Sequence, residues 1–153
     1  MAKKVPAPKA KNKVADKGEK DLATLHPDQT ITLAGRKLTV REYGFVEGLQ
    51  LRGLTQPIID ALYEAVADRG DPPELEEILG ILSAFSDTLV QLMAISADVD
   101  EDWVHQLTQG DGYTLMMVWW SVNGPFFIRR VFNRKTAKLA VERLRAGQTS
   151  TPP

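Results

Sequence analysis

His26 and His105 are the only imidazoles in the chain, and there is no cysteine. A thiol nucleophile, a disulfide framework and any cysteine-ligated zinc or iron–sulfur centre are therefore excluded. His26 precedes Pro27, and His105 stands among acidic residues. Neither has a partner at the spacing of H-E-x-x-H or G-x-S-x-G, or a second histidine four residues away. No catalytic residue, metal ligand or cofactor is assigned on this inventory, and the chain reads as a non-enzymatic binding or structural protein.

Two short acidic or glycine-rich runs test that reading. Asp98 to Asp102 (DVDED) places aspartates at alternate positions, as an EF-hand loop begins. That loop requires Gly at its sixth position and Glu at its twelfth, where this chain has Trp103 and Gln109. An acidic first turn for a short helix carrying Trp103, Val104 and Leu107 accounts for the same residues. Gly110-Asp111-Gly112 is too short for a phosphate loop, and Gln109 to Gly112 is expected to be a turn.

The elements that would position any site are organised around Met116 to Phe132. This stretch holds two of the three tryptophans, three of the five phenylalanines and two of the four methionines. On a helix, Tyr113, Met116, Met117 and Trp120 share one face, and Leu115, Val118, Trp119 and Val122 the opposite one, so both sides need cover. Asn123-Gly124-Pro125 is expected to end this helix and begin another, giving an aromatic elbow. Ile128, Phe132, Leu139 and Leu144 then form an inward stripe on a basic helix.

The 153 residues, 43% of them hydrophobic, suit one domain with a real core. Met1 to Lys20 carries 7 basic and 2 acidic residues, residues 21–128 carry 5 and 17, and residues 129–153 carry 7 and 1. The body is acidic and both ends are basic, a pattern compatible with solvated tails, with nucleic acid or with an acidic partner. Residues 1–20 lack the apolar anchors that would offset ordering entropy and are expected to be disordered, as are residues 147–153; the domain spans 21–146. No apolar h-region is present near the N-terminus, and no apolar run approaches the roughly 18 residues of a membrane span, so a cytoplasmic protein is expected.

Along the domain, Thr30 to Arg41 alternates at period two. A hairpin over 29–41 with Gly35-Arg36 as a type II′ loop pairs Leu33 with Leu38 and Ile31 with Val40, placing all four on one face for packing or self-association. Glu42 to Leu54 is a helix weakened by Gly44, Gly48 and Gly53, at about 1 kcal/mol each; glycines at i and i+4 mark either close helix packing or simply a weak helix. Pro57 opens a second helix. Glu74 to Ser96 is one long helix, with Leu75, Ile78, Leu79, Leu82, Phe85, Leu89, Leu92 and Met93 on its apolar face. The fold class is mainly α: an N-terminal β-hairpin followed by a compact bundle of five or six helices.

With those elements in order, the chain resembles the tail assembly chaperones of long-tailed bacteriophages and prophages. The resemblance covers about residues 25–132. It rests on Ile31, Leu33, Gly35, Leu38 and Val40 in the hairpin, on Trp103, Val104 and Leu107 in D-x-x-W-V-x-x-L, and on Val122, Asn123, Phe126, Phe127, Arg129, Arg130 and Val131 in V-N-x-x-F-F-x-R-R-V. The Trp119-Trp120 pair and the basic C-terminal helix depart from the family pattern. The resemblance implies a protein of the bacterial host cytoplasm, absent from the mature virion, that keeps the tape measure protein soluble until the tail tube protein polymerises around it. Candidate partner-binding residues are Trp119, Trp120, Phe126, Phe127, Arg129 and Arg130, each aromatic being either core or client-facing. A structural virion protein and a small nucleic-acid-binding phage factor are the alternatives.

Overall fold

The computed structural model describes residues 28–149. His26 and the N-terminal tail expected over 1–20 lie outside the described residues. Two antiparallel strands, β1 (Gln29–Leu33) and β2 (Arg36–Val40), precede six helices: α1 (Phe45–Gln50), α2 (Arg52–Val66), α3 (Leu75–Ala84), α4 (Ser86–Ala97), α5 (Glu101–His105) and α6 (Gln109–Thr149). The expected class, a hairpin followed by a helical bundle, is the observed one. α6 is the spine, touching α2, α4 and both strands.

The hairpin keeps its expected face but not its expected register. Ile31 pairs with Leu38 and Leu33 with Arg36, so the loop is Ala34-Gly35 rather than Gly35-Arg36. Both loop residues have positive φ, 51° and 74°, the pattern of a type I′ turn, whose twist matches that of the strands. A slip of two residues preserves side-chain parity. Leu33, Leu38 and Val40 are accordingly buried, Ile31 packs partly buried against them, and Thr30 and Thr39 share a hydroxyl hydrogen bond on the outer face. Ala34 is strained in the left-handed region, so Ala34→Gly is expected to raise stability by about 0.5–1 kcal/mol in chemical denaturation. An unchanged or lower midpoint would contradict this turn.

Three expected helix boundaries move. The break foreseen before Pro57 falls at Leu51, which is buried while α1 contributes no buried residue. Pro57 instead lies inside α2, on its exposed side. The single helix expected from Glu74 to Ser96 is broken at Phe85 (φ −115°, ψ 42°), and its halves bend by 101°. Ile78 and Leu82 on one half and Leu89, Leu92 and Met93 on the other are thereby all delivered to the same core. No single helix among the described residues is long and apolar enough to cross a membrane.

The elbow is absent. Asn123-Gly124-Pro125 continues as helix, and Gln109 to Gly112, expected as a turn, forms the first turn of α6, where the Thr108 hydroxyl accepts from the Asp111 N–H at 3.2 Å. Pro125 cannot donate to the Ser121 carbonyl, at a cost of about 3 kcal/mol. Burial of one face, before and after Pro125, outweighs that cost: Leu115, Trp119, Val122, Phe127 and Val131 are all enclosed, whereas on the opposite face, also expected to need cover, Met116, Met117 and Trp120 are half-buried and Tyr113 is exposed. Gly124 leaves room for the indole ring of Trp120, since a Cβ there would lie 2.8 Å from Trp120 Cε2. The stripe expected to run inward through Leu139 and Leu144 ends near Lys135, which caps the carbonyls of Val66 and Arg69. Beyond it α6 projects, and Leu139 and Leu144 are 50% and 69% exposed. The helix continues through Thr149, past Gly147, where the domain was expected to end.

Asp98 to Asp102 serves two helix ends. Asp98 is left-handed (φ 55°), with its N–H bonded to the Ile95 carbonyl and the Val99 N–H to the Ala94 carbonyl, a Schellman closure of α4. Asp100 then precedes the acidic first turn of α5.

Candidate functional site

The segment Arg41 to Gly44 leaves β2 and crosses between α4 and α6, where its backbone must find partners. Asn123, fully enclosed, supplies them. Its side-chain oxygen accepts from the Tyr43 N–H at 3.3 Å, and its amide donates to the Arg41 carbonyl and to Ser96 Oγ, both at 3.2 Å. Ser96 adds a hydroxyl bond to the same Arg41 carbonyl at 2.7 Å, and its own carbonyl accepts from the Arg41 N–H. Trp119 Nε1 donates to Tyr43 Oη at 3.0 Å, and that hydroxyl donates to the Leu92 carbonyl. Burial drives the Tyr43 phenol far above its ordinary ionisation range, which keeps it a donor. The crossing segment is thus riveted to both helices.

The rivet orients α1. The Arg41 guanidinium grips Glu47 through two bonds of 2.6 and 2.8 Å and also reaches the Ile95 carbonyl. Hydrogen bonding to Arg41 holds the Glu47 carboxyl below its usual range. So anchored, α1 turns its apolar residues outward: Phe45, Val46 and Leu49 are 82%, 62% and 57% exposed. Between this helix and α6 lies a groove of about 380 Å³. Gly44 and Gly48 form part of its wall, and a Cβ at either would meet nothing within 4 Å. These glycines open the groove instead of admitting a packed helix.

Of the six residues proposed from the sequence, the groove gathers three: Phe126, Arg129 and Arg130. The Arg130 guanidinium lies 5.7 Å from the Phe126 ring centroid and donates to Gln56 Oε1 at 3.3 Å. Burial and the nearby charge of Arg52 lower its pKa. Arg129 is exposed, 4.0 Å from Glu42. Trp119 and Phe127 are not surface residues. Both are fully buried, in edge contact at 5.6 Å, and Phe127 meets Phe126 edge-to-face at 5.4 Å. Trp120 is half-buried over Gly124 and lies outside the groove.

Sequence reasoning missed Phe45, Val46, Leu49 and Arg52. The signal available was apolar residues carried by a helix only six residues long and interrupted by glycine, too short to form a full inward stripe. The hairpin residues Leu33, Leu38 and Val40 belong to the core of this chain, with Ile31 packed at its edge. Among the described residues, no group of three or more His, Asp or Glu side chains is placed to hold a metal ion.

A family model described as a family of unknown function (DUF6631) matches residues 21–153. No curated protein and no solved structure matches the chain.

Proposed function

We propose that this chain, which belongs to the family of unknown function DUF6631, is a non-catalytic assembly chaperone that holds an apolar helical segment of a client in the groove between α1 and α6. The client is the tape measure protein of a long-tailed phage, bound in the host cytoplasm and released before the particle is finished. One observation carries the reading: a short helix anchored by an Arg–Glu pair displays Phe45, Val46 and Leu49 to solvent beside the Phe126 floor of an open groove. Apolar side chains presented on both sides of a groove are what helix-in-groove recognition requires. The tape measure assignment adds the resemblance carried by the hairpin and by Val122 to Val131.

Gly48→Leu separates binding from folding. A Cβ at this position of the groove wall would meet nothing within 4 Å, and the helix gains about 1 kcal/mol of propensity. The variant is expected to melt no lower than the wild-type protein while failing to keep a co-expressed tape measure fragment soluble. Full solubilisation by Gly48→Leu would reject the groove as the client site. Finding the chain at stoichiometric levels in purified particles would reject the chaperone reading in favour of a virion component.

A further inference from the structure

Resting on the groove reading above, we infer that the groove selects an acidic amphipathic helix of another protein: one whose apolar face enters between α1 and α6 and whose flanking carboxylates meet Arg52, Arg129 and Arg130. The ionised groups lining the groove are those three guanidiniums and the carboxylate of Glu42, which already faces Arg129 at 4.0 Å; the neighbouring Glu47 carboxylate is matched by Arg41. An apolar floor rimmed by an excess of guanidinium attracts carboxylates through bidentate, charge-assisted hydrogen bonds. A lysine-flanked helix is repelled by the same rim.

The charge rule also disposes of the occupants the chain itself offers. The projecting end of α6 exposes Leu139 and Leu144, but Lys138, Arg143 and Arg145 accompany them against Glu142 alone. Residues 1–20 carry net charge +5. Either would bring positive charge to a positive rim, so a second copy docking by these segments is disfavoured. Nucleic acid shares the affinity for arginine and for the Phe45 ring, but its phosphate at every nucleotide meets the repulsion of 17 acidic against 5 basic residues over 21–128, which the few carboxylates of one helix, confined to the arginine rim, avoid.

The test uses the full chain and two designed helical peptides with one identical Leu/Phe face, flanked by Glu in one and by Lys in the other. Binding is measured by calorimetry at low and high salt. The Glu peptide is expected to bind at least about tenfold more tightly at low salt, with the preference shrinking as salt screens the rim. Arg52→Glu combined with Arg129→Glu, both at exposed positions, should invert the preference. Should that variant fail to fold, the comparison of the two peptides on the wild-type chain decides alone. Equal, salt-insensitive binding of both peptides at a Gly48→Leu-sensitive site overturns the charge inference and leaves the groove reading standing. Binding of neither peptide overturns both. Displacement of the Glu peptide by an oligonucleotide at comparable concentration overturns the inference in favour of a polyanion site.

Discussion

Asn123→Ala is expected to lower the unfolding free energy by about 3 kcal/mol. The substitution deletes the acceptor of the Tyr43 N–H and the donor to Ser96 Oγ in a place without solvent. It also leaves a small cavity between β2, α4 and α6. In that variant the Arg41 carbonyl keeps its bond from Ser96 Oγ. Ser96→Ala removes that hydroxyl donor and one acceptor of the Asn123 amide but leaves the Arg41 carbonyl and the Asn123 amide bonded to each other, so it should cost less, roughly 1–2 kcal/mol. For a domain of this size the Asn123 variant should melt about 10 °C lower. Denaturant titration of the two variants checks the ranking. A loss below about 1 kcal/mol for Asn123→Ala would mean that the crossing segment is held by α1 and Glu47 instead.

Replacing both Phe45 and Leu49 by serine is expected to act in the opposite way. Both side chains stand in solvent, so the stability should change by less than about 0.5 kcal/mol each. Client binding should fall by about 100-fold or more, since apolar anchors near the centre of an interface carry most of its free energy. Trp119→Phe provides the contrast. It removes the bond to Tyr43 Oη from an enclosed ring, so folding and client solubilisation should decline together. Thermal melts and peptide titrations on the same preparations measure the two effects side by side. If the serine variant binds as the wild type does, the displayed face of α1 is not the client surface.

The contrast between these variants follows from what alternation and periodicity can carry. The buried face of the hairpin was legible because parity survives a two-residue slip, while the register was not, since Ala34-Gly35 and Gly35-Arg36 both leave Ile31, Leu33, Leu38 and Val40 on one side. The bend at Phe85 is invisible for a related reason: the apolar spacing passes through it uninterrupted. At Gly124-Pro125 the local preference for a stop is overridden by tertiary burial from Leu115 to Val131. At the site, Phe126, Arg129 and Arg130 could be named, but a helix apolar on both faces does not say which face is covered. Trp119 and Phe127 therefore could not be told from surface anchors. The outward turn of α1 depends on Arg41, Glu47 and Ile95, which meet only in the folded chain.

The most direct measurement places a photo-crosslinking phenylalanine analogue at position 45 and, in separate chains, at positions 75 and 144, each co-expressed with a helical tape measure fragment. All three positions are exposed, but only position 45 lines the groove. A crosslink to the fragment from position 45 alone, lost in the Gly48→Leu background, is the predicted result. Crosslinks from position 144 or 75 with none from position 45 would contradict the account and move the client to the projecting end of α6 or to α3.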